Sequence, residues 1–243
     1  MALPILETAT YELTLPSADI KVKYRPFLVK EEKVLLQALE SNDDVEIKNA
    51  ICDIVSTCTF GQVNAKAIPT FDLEFIFLQV RSKSVGEIAN IRLKCPDDNE
   101  TYVTHKIDLS KVDVEVDDKH SNEITVNDNV KIIMKYPTID TVDPKLSVSG
   151  MKTQQVFDMI TSCIHSIIEG EKEHYVKDYS SEDLNKFIES LDRKAFDKLN
   201  KFFETMPQLR HEIEVENPKT KVKSKVVLKG AQDFFVLPSL TTA

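Results

Sequence analysis

Alternation of apolar and polar residues predicts β-hairpins towards both ends of the chain. Two short alternating runs between residues 11 and 24 flank the turn at 16–19, which is typical of paired strands with one buried face. The same pattern flanks the turn at 217–219. Residues 88–136 add about four to six further alternating runs, so the middle of the chain is predicted to be a β-rich block.

Apolar residues spaced three and four apart predict amphipathic helices between these strands. The segment 71–80 is apolar around most of its circumference, so it is either central to the core or half of an interface, and we favour the core. Together with the hairpins, the helices define an α+β fold. The predicted helices are 30–39, 47–58, 70–80, 156–167, 184–191 and 195–206.

The composition changes at residues 137–150, where two prolines and a glycine lie among threonine, serine and aspartate. Such a stretch is typical of a linker. We therefore predict an N-terminal α+β domain over 1–136 and a C-terminal helical domain over 151–243 that ends in a β-hairpin. A helix followed by a hairpin occurs at both 70–109 and 193–229, either by duplication or by chance.

The charge and the glycine content exclude several classes of function. The net charge is −9 and the chain has five glycines in 243 residues. An acidic chain is not drawn to nucleic acid or to an anionic membrane, and a phosphate-binding loop needs several glycines close together. The first residues do not have the pattern of a signal peptide, and no apolar run is long enough to span a membrane. We expect a reducing cytoplasm.

Few residues suggest metal chemistry. Cys95-Pro96 at a predicted hairpin tip is similar to a zinc-ribbon knuckle, but zinc takes about four nitrogen or sulfur ligands and only His105 lies nearby. We favour an unliganded thiol. Asp117, Asp118 and His120 could hold a metal ion or form a solvated loop, and we favour the loop. We therefore predict no metal site and no bound cofactor.

No pattern typical of catalysis stands out either. Cys163 and His165 lie two residues apart on a predicted helix and therefore point to different faces, so they do not form a nucleophile–base pair. The chain has no paired cysteines of the C-x-x-C kind and no nucleophile elbow. We predict no catalytic residues. The remaining candidates are surfaces for protein partners, namely the helix at 71–80, the apolar strand edges, and the aromatic pair Phe234 and Phe235.

Five segments of the N-terminal half form a specific pattern of residues. They are Leu15-Pro16-Ser17, Lys23 to Lys33, Thr70 to Leu78, Arg81 to Glu87, and Cys95-Pro96-Asp97-Asp98. Together they resemble the baseplate hub subunit family of T-even-type bacteriophages. The similarity covers about residues 1–135, and its longest continuous run includes Arg25-Pro26-Phe27.

The resemblance implies a non-enzymatic structural or assembly protein of the baseplate hub, found in the virion tail and, during assembly, in the host cytoplasm. Its partners would be other hub and tail proteins, and a homo-oligomer within the hub is left open. A transient assembly chaperone is the main alternative, and a metal protein or enzyme is a weaker one. The candidate interface residues are Arg25, Phe27, Phe77, Arg81, Phe234 and Phe235.

Overall fold

The computed structural model describes residues 7–41, 43–141 and 153–230. These residues form an α+β fold of short helices and small antiparallel sheets, which confirms the predicted fold class. They group into two compact units. Unit 1 contains the residues up to Glu115 together with those from Gln208 onwards, and unit 2 is Val116–Pro207.

The described residues of unit 1 form two hairpins, three α-helices and a three-stranded sheet. The first hairpin buries Leu13 and Val22, which face each other across its two strands. The elements are β1 Tyr11–Thr14, β2 Lys21–Tyr24, α1 Val29–Ser41, α2 Asp44–Cys58, α3 Thr70–Val85, β3 Ile88–Lys94, β4 Tyr102–Asp108, β5 Asp113–Glu115, β10 Gln208–Glu216 and β11 Lys223–Lys229. The sheet has the order β11-β10-β5, and β3 pairs with β4 separately.

Helix α3 is central to unit 1. Its side chains Leu73, Ile76, Phe77 and Val80 are at most a few per cent exposed, as expected for a helix that is apolar on nearly all sides. Leu78 of α3 packs into a core shared by the β3–β4 hairpin and the β10–β11 hairpin. Burial of so many large side chains makes α3 a large source of hydrophobic stabilisation in this unit.

The described residues of unit 2 form a four-stranded antiparallel sheet with three α-helices. The elements are β6 Glu123–Thr125, β7 Val130–Met134, α4 Thr153–Ser162, β8 Ile164–Glu169, β9 Lys172–Tyr175, α5 Ser181–Glu189 and α6 Arg193–Thr205. The strand order is β6-β7-β8-β9. Helices α5 and α6 begin at the N-caps Ser180 and Asp192, whose side chains accept backbone N–H groups of the first turn.

The helix predicted over 156–167 is wrong in its second half. Helix α4 ends at Ser162, and Ile164–Glu169 is strand β8, paired on both sides. Isoleucine is β-branched and packs well on a pleated sheet. Ile164 and Ile167 have a helical spacing, and they share a face of β8 only because the pairing with β7 shifts by one residue between Ile133 and Met134. The part beyond residue 150 is therefore mixed α/β within its described residues rather than helical.

Strand pairing divides the chain differently from the predicted boundary at 137–150. β7 and β8 lie on either side of that stretch and pair with each other, and β5 pairs with β10. Residues 142–150 of the predicted linker lie outside the described residues. The residues of unit 2 thus form a continuous insertion between two neighbouring strands of the unit 1 sheet.

Candidate protein-interaction site

The turn of the first hairpin is held to the start of α3 by a buried carboxylate. The backbone N–H of Ser17 donates to Asp72 Oδ1 at 3.2 Å, and the Ser17 hydroxyl donates to Oδ2. Burial raises the pKa of Asp72, and the two hydrogen bonds from Ser17 oppose that rise. Two of the segments that carry the family resemblance are thereby brought into contact.

A nearly buried ion pair fixes the loop before α1. Arg25 Nη2 lies 3.0 Å from Glu31 Oε1, with the two side chains 11% and 9% exposed. Arg25 Nη1 donates to the carbonyl of Pro26 at 2.9 Å. The Arg25 N–H donates to the Cys58 carbonyl at 2.9 Å, which ties the loop to the end of α2. The backbone at 25–28 therefore has little freedom.

Glu31 also caps α1. Its Oε2 accepts the backbone N–H of Leu28 at 2.7 Å. Since α1 begins at Val29, this is the half of a capping box in which the third helical residue reaches back to the N-cap. Burial alone would raise the pKa of Glu31, but hydrogen bonds from Arg25 and Leu28 outweigh it and hold the pKa below its usual value.

The same loop is joined to the last turn of α3. The Phe27 N–H donates to Ser84 Oγ at 2.8 Å, and Ser84 Oγ donates to the Val80 carbonyl at 2.6 Å. Phe27 and Ser84 are 57 residues apart in the sequence. The two segments predicted as contact sites, Arg25-Pro26-Phe27 and Arg81 to Glu87, are thus neighbours in the fold.

The candidate interface residues within these segments are themselves mostly covered. Phe77 is 1% exposed, and Phe27 and Arg81 are each 9% exposed. Burial lowers the pKa of Arg81. Their burial gives them a packing role, and a direct contact with a partner stays a prediction. Phe234 and Phe235 lie outside the described residues.

Three exposed apolar side chains lie beside these buried residues. Leu28 is 38% exposed, Val29 is 80% exposed and Val85 is 47% exposed. The hydrogen bond between Phe27 and Ser84 joins the residues just before Leu28 and Val85. We call Leu28, Val29 and Val85 the α1–α3 patch. Leu28 and Val29 were not among the candidates predicted from the sequence, although an apolar residue at an N-cap is a usable signal because Ser, Thr, Asp and Asn are preferred there.

The Cys95 hairpin tip forms a second ordered cluster in unit 1. Asn217 Nδ2 donates to both carboxylate oxygens of Asp97 and to Asp98 Oδ2, each at 3.0 Å. Thr220 Oγ1 donates to Asp97 at 2.5 Å. Hydrogen bonds lower the pKa values of Asp97 and Asp98. The predicted hairpin tip at Cys95-Pro96 and the turn at 217–219 are therefore joined by hydrogen bonds from the Asn217 amide and the Thr220 hydroxyl.

Neither Cys95 nor the acidic loop in unit 2 forms a metal site among the described residues. Cys95 is fully buried. His120 Nδ1 lies 3.0 Å from Thr205 Oγ1, and its ring centroid lies 5.0 Å from that of Phe202, whereas Asp117 and Asp118 are exposed. Within the described ranges, no three His, Cys, Asp or Glu side chains come together in a way that could hold a metal ion.

The remaining candidate for catalysis also belongs to the core. Cys163 is fully buried in unit 2, and burial raises the pKa of its thiol to about 11, so thiolate is scarce at neutral pH. His165 is on the exposed face of β8. In the part of the chain that the structure describes, no helix has both the length and the apolarity to cross a membrane.

The family of the chain is shown by comparison with known protein families. The family model described as T4 bacteriophage base plate protein matches residues 8–236. The chain belongs to this family, and it is a baseplate protein of a T4-type phage, located in the virion tail. Comparison with curated proteins and with solved structures finds no match. The predicted resemblance to a phage baseplate family is thus confirmed.

Proposed function

We propose that the chain is a non-enzymatic structural and assembly subunit of the baseplate hub. It acts through contacts with other hub and tail proteins, after assembly in the host cytoplasm, and self-association within the hub is part of the same proposal. The family supports a baseplate role. The observation that carries the contact site is the α1–α3 patch, with Leu28 at an N-cap where a polar residue would stabilise the fold.

The contacts at the start of α1 stabilise the helix, except at the exposed residues Leu28 and Val29. Glu31 supplies its half of the capping box, but Leu28 has no hydroxyl or carboxylate to supply the other half. An apolar residue in place of Ser, Thr, Asp or Asn at an N-cap costs roughly 0.5–2 kcal/mol. Val29 is 80% exposed, so its side chain adds little to folding. Rules broken at one position of an otherwise consistent element are typical of a functional site.

The loop beneath the patch is rigid, which favours binding. The buried pair Arg25–Glu31 and the bond between Phe27 and Ser84 hold the backbone in place before any partner arrives. An apolar side chain on a fixed backbone loses little entropy when it is covered by a partner. We propose that Arg25, Phe27, Phe77 and Arg81 contribute to the hub interface by positioning this patch, and that Phe234 and Phe235 provide a separate contact.

The test is to separate folding from assembly with Leu28→Ser and Val29→Ser. Leu28→Ser completes the capping box, so the free energy of unfolding is expected to stay level or rise by about 0.5–1.5 kcal/mol. Phage carrying either variant should yield fewer complete tails, because the apolar anchor is lost. Urea denaturation of the purified protein and counting of complete tails by electron microscopy measure the two effects.

Val45→Ser is the matched control. Val45 is also an exposed valine, at 64%, in the first turn of a helix. It lies near the C-terminal end of α1, about 20 Å along the helix axis from Leu28. The control should leave tail yield unchanged. Normal tail yield with Leu28→Ser and Val29→Ser together would show that the patch is not the contact site.

Mass spectrometry of purified tails distinguishes a permanent subunit from a transient chaperone. A structural subunit is expected at a fixed small integer ratio to the abundant tail proteins. Absence from complete tails, with presence in assembly intermediates from infected cells, would contradict a structural role and leave the chaperone.

A further inference from the structure

An open cleft of about 590 Å³ leads from the surface of unit 2 into its core. Its volume is within the range of ligand-binding pockets, roughly 300–1,000 Å³. The wall is mainly apolar and extends the cluster in which Ile132, Ile160 and Leu199 are fully buried. The apolar lining residues are Val130, Ile167, Val176, Leu184 and Phe187.

Strand register explains why polar groups reach the same cleft. Ile167 faces His174, and Val130 faces Glu169, across neighbouring strands. Because alternate residues share a face of a sheet, all four side chains lie on one side of it. Helix α5 supplies the opposite wall through Leu184. One end of this sheet face is therefore left open to solvent rather than covered by helix.

The mouth of the cleft is acidic. Glu169 is 60% exposed, and its Oε2 lies 3.7 Å from His174 Nε2. His174 Nδ1 bonds with the hydroxyl of Tyr179, which fixes the imidazole ring. Asp183 accepts the Ser180 hydroxyl at 2.6 Å, and this bond holds the pKa of Asp183 below its usual value. No lysine or arginine is among the described residues that line the cleft.

We propose that this cleft binds a peptide segment in which an aromatic or branched aliphatic side chain is followed by arginine or lysine. The apolar side chain would enter between Ile167 and Leu184, and the cation would lie at the mouth between Glu169 and Asp183. Charge complementarity selects a cationic partner over an acidic one. This site lies in unit 2, and it does not depend on the proposed role of the α1–α3 patch.

Two dipeptide probes test the proposal. N-acetyl-phenylalanyl-arginine amide and N-acetyl-phenylalanyl-glutamate amide are titrated into the full chain and followed by two-dimensional NMR of the amide groups. The arginine probe should shift the amide signals of Ile167, Tyr179 and Leu184, and it should bind about fivefold more tightly than the glutamate probe. Absence of shifts at these three residues, or equal affinity for the two probes, would overturn the proposal.

Matched charge variants locate the cation. Glu169→Gln removes an exposed carboxylate at the mouth and should reduce the preference for arginine, and the fold is expected to persist because the residue is on the surface. Glu171→Gln makes the same change in the adjoining exposed turn, outside the cleft, and should leave the preference unchanged. Equal effects of the two variants would mean that net charge alone attracts the probe, and would contradict this site.

Discussion

His120 shows how the surroundings of one residue change its chemistry. Its ring lies beside those of Tyr136 and Phe202, with centroids 5.6 and 5.0 Å away, and Nδ1 is 3.0 Å from Thr205 Oγ1. Burial is the largest influence and lowers the pKa of His120, against the opposing effects of Asn122 and Asp117. The residue was a candidate metal ligand in the sequence, and the structure gives it a packing role.

This pKa change predicts a dependence of stability on pH. The folded chain binds the His120 proton more weakly than the unfolded chain, whose histidine pKa is about 6.5. Stability is therefore complete above that value and is lost as the pH falls through it towards the lower folded pKa. Urea denaturation at about pH 7.5 and about pH 5.5 should show a loss on acidification that is smaller in His120→Asn.

His165→Asn is the control for this measurement, because His165 lies on the exposed face of β8. It should lose as much stability on acidification as the unaltered chain does. An equal loss in His120→Asn and the unaltered chain would assign the pH dependence to other groups.

At the scale of elements, the start of α1 depends on the Arg25–Glu31 pair. Both side chains are about nine-tenths buried, and removal of one partner from a buried pair leaves the other charge uncompensated. Glu31→Gln is therefore expected to lower the free energy of unfolding by about 3–5 kcal/mol, measured by urea denaturation. The helix start should also fray, because the bond to the Leu28 N–H is weakened.

Glu123→Gln gives the comparison for an exposed pair. Glu123 lies 2.7 Å from Lys131 Nζ, but both side chains are about half exposed, so the expected loss is below about 1 kcal/mol. A loss for Glu31→Gln as small as that for Glu123→Gln would show that the buried pair does not hold the loop.

Some helices could be predicted from the sequence, whereas other elements could not. Helices α2 and α6 follow from periodic apolar residues with polar caps, because their local pattern agrees with their final packing. Strand β8 could not be predicted, because the three-residue spacing of Ile164 and Ile167 is that of a helix. The register shift that places both on one face of β8 depends on its partner β7, which lies some thirty residues earlier. The segments proposed as a contact site were candidates in the sequence, and that role stays a prediction. The Arg25–Glu31 pair and the bond to Ser84 could not be predicted, because they depend on tertiary contacts.

At the scale of the whole molecule, the division into two units does not follow the order of the elements along the chain. β5 and β10 pair although Glu115 and Gln208 lie far apart in the sequence, with unit 2 between them. The boundary was predicted at 137–150 because the prolines and the glycine there change the local composition. Long-range strand pairing leaves no such local mark, since each strand alone shows only alternation.

The cysteines allow unfolding of both units to be followed in the intact chain. Cys52, Cys58 and Cys95 are buried in unit 1, and Cys163 is buried in unit 2. Burial raises the pKa values of Cys58 and Cys163 to about 11, so both access and thiolate are lacking in the native state. Iodoacetamide should therefore leave all four thiols unmodified in native buffer and modify all four in urea.

Site-resolved mass spectrometry of the labelled chain then tests the assignment of each core. Leu209 and Ile132 are fully buried in units 1 and 2 respectively, and truncation of either to alanine should cost about 2–5 kcal/mol. Ile132→Ala is expected to expose Cys163 at lower urea concentration, because both side chains belong to one cluster. Leu209→Ala should destabilise unit 1 and so expose its three thiols at lower urea concentration. Rapid labelling of Cys163 in the unaltered native chain would contradict the buried thiol and the core built around it.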